Sequence, residues 1–155
     1  MKWTMLCVLA IAASVPAVAQ SSGKSDLFAG KDLDAKIAAL AEKAKATGSA
    51  GDTLADYGSH KIQISVRTVS GGAEIHAHYD DVMLVKQGTA TLITGGTVVD
   101  AKEGPGGETH GKSIEGGVTR TVGPGDIITV NAGVPHQLLV PAGATYVAIV
   151  IKVKE

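Results

Sequence analysis

Four residues of this chain have the types and spacing of a metal site: His76, His78, Asp81 and His136. His76 and His78 stand two apart in an apolar, β-branched context. On a strand that spacing puts both imidazoles on one face. Asp81 and His136 would close a three-His, one-carboxylate set around a divalent ion. Nitrogen-rich coordination of this kind suits Fe, Mn, Ni, Cu, Co or Zn better than Ca or Mg. With open positions, such an ion acts as a Lewis acid, lowers the pKa of bound water, or binds O₂ if it is redox-active. Glu74, two residues before His76, is the competing carboxylate; the sequence reads it as a solvated group near the site or a substrate contact. Met83, Val85, Leu138 and Val140 are expected to wall an apolar interior, with Met83 a candidate substrate contact. His110 and Tyr57 are the remaining candidates for acid, base or substrate contact.

The two stretches that carry these residues resemble the motifs of the cupin family. That family's first motif is Gly, five residues, His-x-His, three or four residues, Glu, six residues, Gly. Its second is Gly, five residues, Pro-x-Gly, two residues, His, three residues, Asn. The second is matched by Gly125, Asn131 in the Pro place, Gly133 and His136; the first is matched at His76 and His78 and in the six residues between Asp81 and Gly88. The chain departs from the pattern in three places. Asp81 stands for Glu and follows His78 after only two residues, Val140 stands for the final Asn, and Gly71 is one residue too close to His76. The resemblance runs over roughly 62–153. It implies a small β-barrel, usually a bound metal, Asp81 in the place of the acidic ligand, and no particular reaction. It also implies pairing into homodimers, and an open jelly roll has strand edges that such pairing covers.

The elements that must position these residues follow an N-terminal segment with the marks of a secretory signal peptide. Lys2 supplies a positive charge, Met5 to Val15 is apolar but short for a bilayer span, and Ala17-Val18-Ala19 is a small-x-small cleavage site before Gln20. Export to the periplasm or outside the cell is therefore expected, with no stable membrane insertion after cleavage. Trp3 and Cys7 leave with the signal, so the mature chain relies on no disulfide. Basic residues nowhere form a run, so nucleic acid is not an expected partner. The remainder, about 135 residues, fits one domain.

Within that remainder the hydrophobic period changes once. Leu33, Ile37, Leu40 and Ala44 recur at helical spacing over Asp32 to Ala46, with Asp32 or Asp34 available to cap the start and Thr47 to Gly51 ending it. This helix is expected on the outside of the barrel or across a dimer interface. From Lys61 the period becomes two: Ile62, Ile64 and Val66 alternate with Gln63, Ser65 and Arg67. Thr145 to Val153 is apolar on both faces and should be a central strand. Ala101 to Gly117 is Gly-rich and polar and reads as the longest loop. The fold class predicted is all-β: a cupin-type jelly-roll β-barrel over 61–155, a flexible segment and one amphipathic α-helix over 20–60, and a signal peptide over 1–19.

The sequence thus points to an exported, metal-binding, single-domain protein with a small-molecule ligand or substrate. Dioxygenase, isomerase or lyase chemistry is one reading. A non-catalytic binding module for a metal or small ligand is the other. The signal-peptide reading predicts that mass spectrometry of the exported protein finds Gln20, free or cyclised, as the first residue. A mature chain still carrying Trp3 would refute cleavage.

Overall fold

The computed structural model of the chain describes residues 25–155; the signal-peptide reading lies outside the described residues. Helix α1 (Gly30–Thr47) begins two residues earlier than the periodicity predicts. Its N-cap is Ala29, with no side-chain capping bond, so neither Asp32 nor Asp34 caps it. Asp32 instead falls in the first turn, where a carboxylate still favours the exposed amides. The far end is as expected: Gly48 adopts φ 83° and its amide donates to the Ala44 carbonyl. The apolar stripe packs on the outside of the barrel. Leu33, Ile37, Leu40 and Ala44 meet Ile64, Val66 and Val147, which are buried beneath them. No helix among the described residues is long and apolar enough to cross a membrane.

Strand β1 (Ser49–Asp56) follows the helix at once, and the sequence reading missed it. Gly51, Asp52 and Asp56 are poor strand formers, and Ala50 and Leu54 are too few to show a period. The strand exists because β2 (His60–Arg67) pairs with it, Ala50 opposite Val66. Then come β3 (Ala73–His76), β4 (Tyr79–Gln87), β5 (Ala90–Thr94) and β6 (Thr97–Val99). The supposed long loop is also ordered. It holds β7 (Lys102–Glu103), a 3-10 turn at Pro105–Gly107, β8 (Glu108–Gly111) and β9 (Ser113–Glu115). These strands are too short to register as a pattern, yet β8 pairs with β3 along its whole length. The chain closes with β10 (Val118–Val122), β11 (Ile127–Val130), β12 (His136–Leu139) and β13 (Tyr146–Lys154).

Two facing sheets form the barrel, one ordered β1-β2-β13-β4-β11 and the other β10-β5-β12-β3-β8-β7, with β6 and β9 forming a separate pair. As the sequence predicts, β13 is central, between β2 and β4. The interior core includes Met83, Val85, Leu92, Val140 and Val150, with Leu138 packed against it. The alternation along β2 has a consequence for function. Its apolar phase, Ile64 and Val66, faces the helix. Its polar phase, Gln63, Ser65 and Arg67, lines an interior cavity. One wall of the barrel is therefore polar because the helix has claimed that strand's apolar face.

Gly88 closes β4 at φ 75°, and a Cβ there would lie 2.1 Å from the Thr145 carbonyl oxygen. Gly58 has a similar φ of 81° but open space around it. Gly58→Ala is expected to cost about 1 kcal/mol, from the left-handed backbone alone. Gly88→Ala should cost more than about 3 kcal/mol, because a backbone atom must also move. Urea unfolding of the two variants checks this. Equal losses would mean that the β4 end yields freely.

Candidate metal centre

Strand β3 sets the site. Glu74 and His76 are two apart on one face of it. Glu74 stands directly opposite His136 on β12, and His76 directly opposite Glu108 on β8. Cross-strand partners share a face, so the two histidines and Glu74 are brought together by register. Their ligand atoms all lie within 4.8 Å of one another. His76 and His136 are both buried, with ring centroids 5.0 Å apart.

Asp81 arrives from the other sheet. It is buried, and its Oδ2 lies 3.4 Å from His76 Nε2 and 3.9 Å from His136 Nε2. Its Oδ1 accepts a 2.6 Å bond from Lys152 Nζ, the residue opposite it on β13. The loop before His136 is fixed to the same corner. The Gly133 amide donates to the His76 carbonyl, and the Ala132 amide donates to Asp80 Oδ1 at 2.7 Å. His136 is thus tied to both ends of the β3–β4 turn.

Outer partners decide which ring nitrogens are free. The Nδ1 of His76 hydrogen-bonds Glu108 Oε2. The Nδ1 of His136 lies 3.2 Å from the Val134 carbonyl, which can only accept. With both Nδ1 atoms protonated, both Nε2 atoms face Asp81 as lone-pair donors, and the acceptor on each Nδ1 fixes the ring as it does in metal-ligating histidines. Burial pushes His76 down, but the Asp81 carboxylate and Glu108 outweigh it, so its pKa is raised. His136 is lowered, chiefly by burial. Asp81 is lowered: burial opposes ionisation, but His76 and Lys152 outweigh it.

The expected residues are thus divided. His76, His136 and Asp81 are brought together, and Glu74 joins them rather than standing in solvent. His78 does not. Strand β3 ends at His76, and Ala77 and His78 form the turn into β4. The exposed His78 ring lies against Gly107, where a Cβ would come within 2.9 Å of it. The motif spacing explains the difference. Counted back four residues from Asp81, the second His place falls on His76, and the first falls on Glu74. The turn is then of ordinary length, and the departure lies in Glu74 standing where the family pattern has His.

His110 is exposed on β8, opposite Glu74, and forms no hydrogen bond or ion pair with the cluster among the described residues. Tyr57 is exposed too, its hydroxyl donating to Asp26. Met83 is buried and lines the cavity beside the cluster. That cavity has a volume of about 620 Å³. Three charged residues here went unread in the sequence: Glu108, Lys152 and Arg67. Arg67 NH2 lies 3.6 Å from Glu74 Oε1. Lys152 left a signal, since it continues the inward phase of Tyr146, Ala148 and Val150. A cation in that phase needs a carboxylate partner.

No protein-family model matches the sequence, and no curated protein matches it either. Solved structures do resemble the fold. KdgF from a Halomonas species aligns at TM-score 0.51 and 14% identity over 70% of this chain and 82% of that one. The cupin domain of Schizosaccharomyces pombe Cnp3 aligns at TM-score 0.52 and 8% identity over 69% of this chain and 61% of that one. A Klebsiella pneumoniae protein with a double-stranded β-helix domain aligns at TM-score 0.51 and 12% identity over 68% and 72%. The two facing antiparallel sheets and this likeness show that the chain has the fold of a small cupin-type β-barrel.

Proposed function

We propose that this chain is an exported cupin-type protein that holds one divalent first-row transition metal on Glu74, His76 and His136. Asp81 Oδ2 is the fourth donor. The cavity beside the ion takes a small organic molecule. One observation carries this reading: both imidazoles have Nδ1 engaged by an outer acceptor, leaving two Nε2 atoms near Glu74 and Asp81 at the edge of a cavity of about 620 Å³. Two neutral imidazoles and carboxylate oxygens fit Fe, Mn, Ni, Cu, Co or Zn. When bound, the ion would supply Lewis acidity or redox chemistry to a molecule in the cavity. The chain's own part is to orient the donors, wall the ligand with Met83 and Leu92, and carry charge close by on Lys152.

Dioxygenase, isomerase or lyase chemistry is the catalytic form of this reading. The non-catalytic form, a metal or small-ligand binding module, is favoured by the positions of His110 and Tyr57. Tyr57 is exposed and bonded to Asp26. His110, although opposite Glu74 on β8, is exposed and makes no hydrogen bond or ion pair with the cluster among the described residues, so Lys152 is the proton-bearing group bonded to it. Turnover by the metal-loaded protein on any small carbonyl or hydroxy compound, abolished by His136→Ala, would decide for an enzyme.

Homodimer pairing is part of the proposal. It is supported by Ile127 and Leu84, cross-strand neighbours on the outer face of β11 and β4 that are 71% and 38% exposed. Sedimentation equilibrium at micromolar concentration should give a dimer that Ile127→Asp weakens; a wild-type monomer would refute it.

Titration of the metal-free protein with Co²⁺ tests the ligand set. His76→Ala, His136→Ala and Glu74→Ala should each weaken binding by at least about 100-fold, more than outer partners usually cost. Asp81→Asn should weaken it by about 10-fold or more, and His78→Ala by less than about 3-fold. Full binding by Glu74→Ala, or loss in His78→Ala, would overturn the set. The pH dependence follows from His76. Its raised pKa means that the proton competes with the metal starting above the ordinary value of 6.5. Affinity should therefore be level above that raised pKa and fall about tenfold per pH unit below it. His136, with its lowered pKa, adds to the fall only at lower pH.

A further inference from the structure

Two carboxylates of the cluster are already matched by cations. Asp81 is paired with Lys152 at 2.6 Å and Glu74 with Arg67 at 3.6 Å, and all four line the same cavity. Among these four the charges cancel. Glu108, behind His76, adds one negative charge. A dication bound by neutral imidazoles would therefore leave the surroundings positive. Lys43 and Asp52 also line the cavity, and their charges cancel, so the sign is unchanged. A neutral ligand would leave this charge uncompensated in a partly buried space, where it costs more than in water.

Arg67 is the cation best suited to answer it. Its guanidinium offers a planar fork of five donors, and Glu74 meets it through one long contact, outside hydrogen-bond range. The side chain is 27% exposed, on the polar wall that β2 turns to the cavity. Room for it is built into the backbone. A Cβ on Gly71 would lie 2.6 Å from Arg67 NH1, so any side chain there would push the guanidinium out of this position. Gly71 has no left-handed φ to explain its presence.

We infer that the ligand of this site is a small carboxylate, its anionic group held by Arg67 beside the metal-bearing cluster. This rests on the metal reading above and adds the class of ligand. Once Glu74 serves the ion, the Arg67 fork is open to a carboxylate in bidentate geometry.

Calorimetry with malonate and with malonamide, its neutral analogue of like shape, tests the idea on protein whose Co²⁺ stoichiometry has first been measured. Malonate should bind the loaded wild type at least about tenfold more tightly than malonamide. Arg67→Met should remove that preference while Co²⁺ is still taken up. Gly71→Ala keeps the charge but moves the guanidinium, and should weaken malonate at least about fivefold, with Co²⁺ uptake and the circular dichroism unchanged. Equal binding of malonate and malonamide by loaded wild type, or an unchanged preference in both variants, would overturn the carboxylate assignment and leave the metal reading standing. A wild type that takes up no Co²⁺ would overturn both.

Discussion

The His76 ring is held at Nδ1 by Glu108, and its Nε2 faces Asp81 Oδ2 at 3.4 Å. Those two carboxylates come from different sheets. Glu108 lies on β8, paired with β3, and Asp81 lies on β4 in the facing sheet. The ring thus spans the barrel interior as a strut. Its orientation depends on the β3–β8 register, on the short turn at Ala77 and His78, and on the β4–β13 register that sets Lys152 against Asp81. A one-residue slip in any of these would turn a charged group to the wrong face. The Gly133 amide on the His76 carbonyl extends the same constraint to the loop that delivers His136.

That constraint carries a cost in buried charge, and the fold meets it with pairs rather than with isolation. Asp81 has Lys152, Glu74 has Arg67, and His76 has Glu108. Buried charges are tolerated when paired and hydrogen-bonded. The helix makes the polar wall available. By covering Ile64 and Val66 it leaves the alternate residues of β2 to face inward, so the cavity is apolar on the β4 and β5 side and polar on the β2 side. Tyr146 lies on the same wall as Ala148 and Val150. Its hydroxyl, buried without a hydrogen-bond partner among the described residues, has a pKa pushed up to about 12, chiefly by burial.

Much of this was legible in the residues. The helical spacing of Leu33, Ile37, Leu40 and Ala44 and the central apolar strand expected at Thr145 to Val153 followed from period, and the pairing of the two motif stretches followed from the resemblance to the cupin family. What failed did so for local reasons. Strand β1 has too few apolar residues to show its period. Strands β7, β8 and β9 are two to four residues long and gain their order from neighbours, so Glu108 lay hidden in what read as a loop. His78 was misread because spacing along a chain fixes a common face only while the strand lasts, and β3 stops at His76. The four-residue gap from His76 to Asp81 was the available clue, and it pointed to Glu74. Arg67 and Lys152 belong to inward phases that single-strand patterns cannot distinguish from outward ones.

Everything proposed for this site depends on an ion seated between β3 and β12. Crystals grown with Co²⁺ and measured at the cobalt absorption edge test it most directly. One strong anomalous peak is expected about 2.0–2.2 Å from His76 Nε2, His136 Nε2, a Glu74 carboxylate oxygen and Asp81 Oδ2. A peak beside His78 or His110 instead, or none within reach of His76, would contradict it.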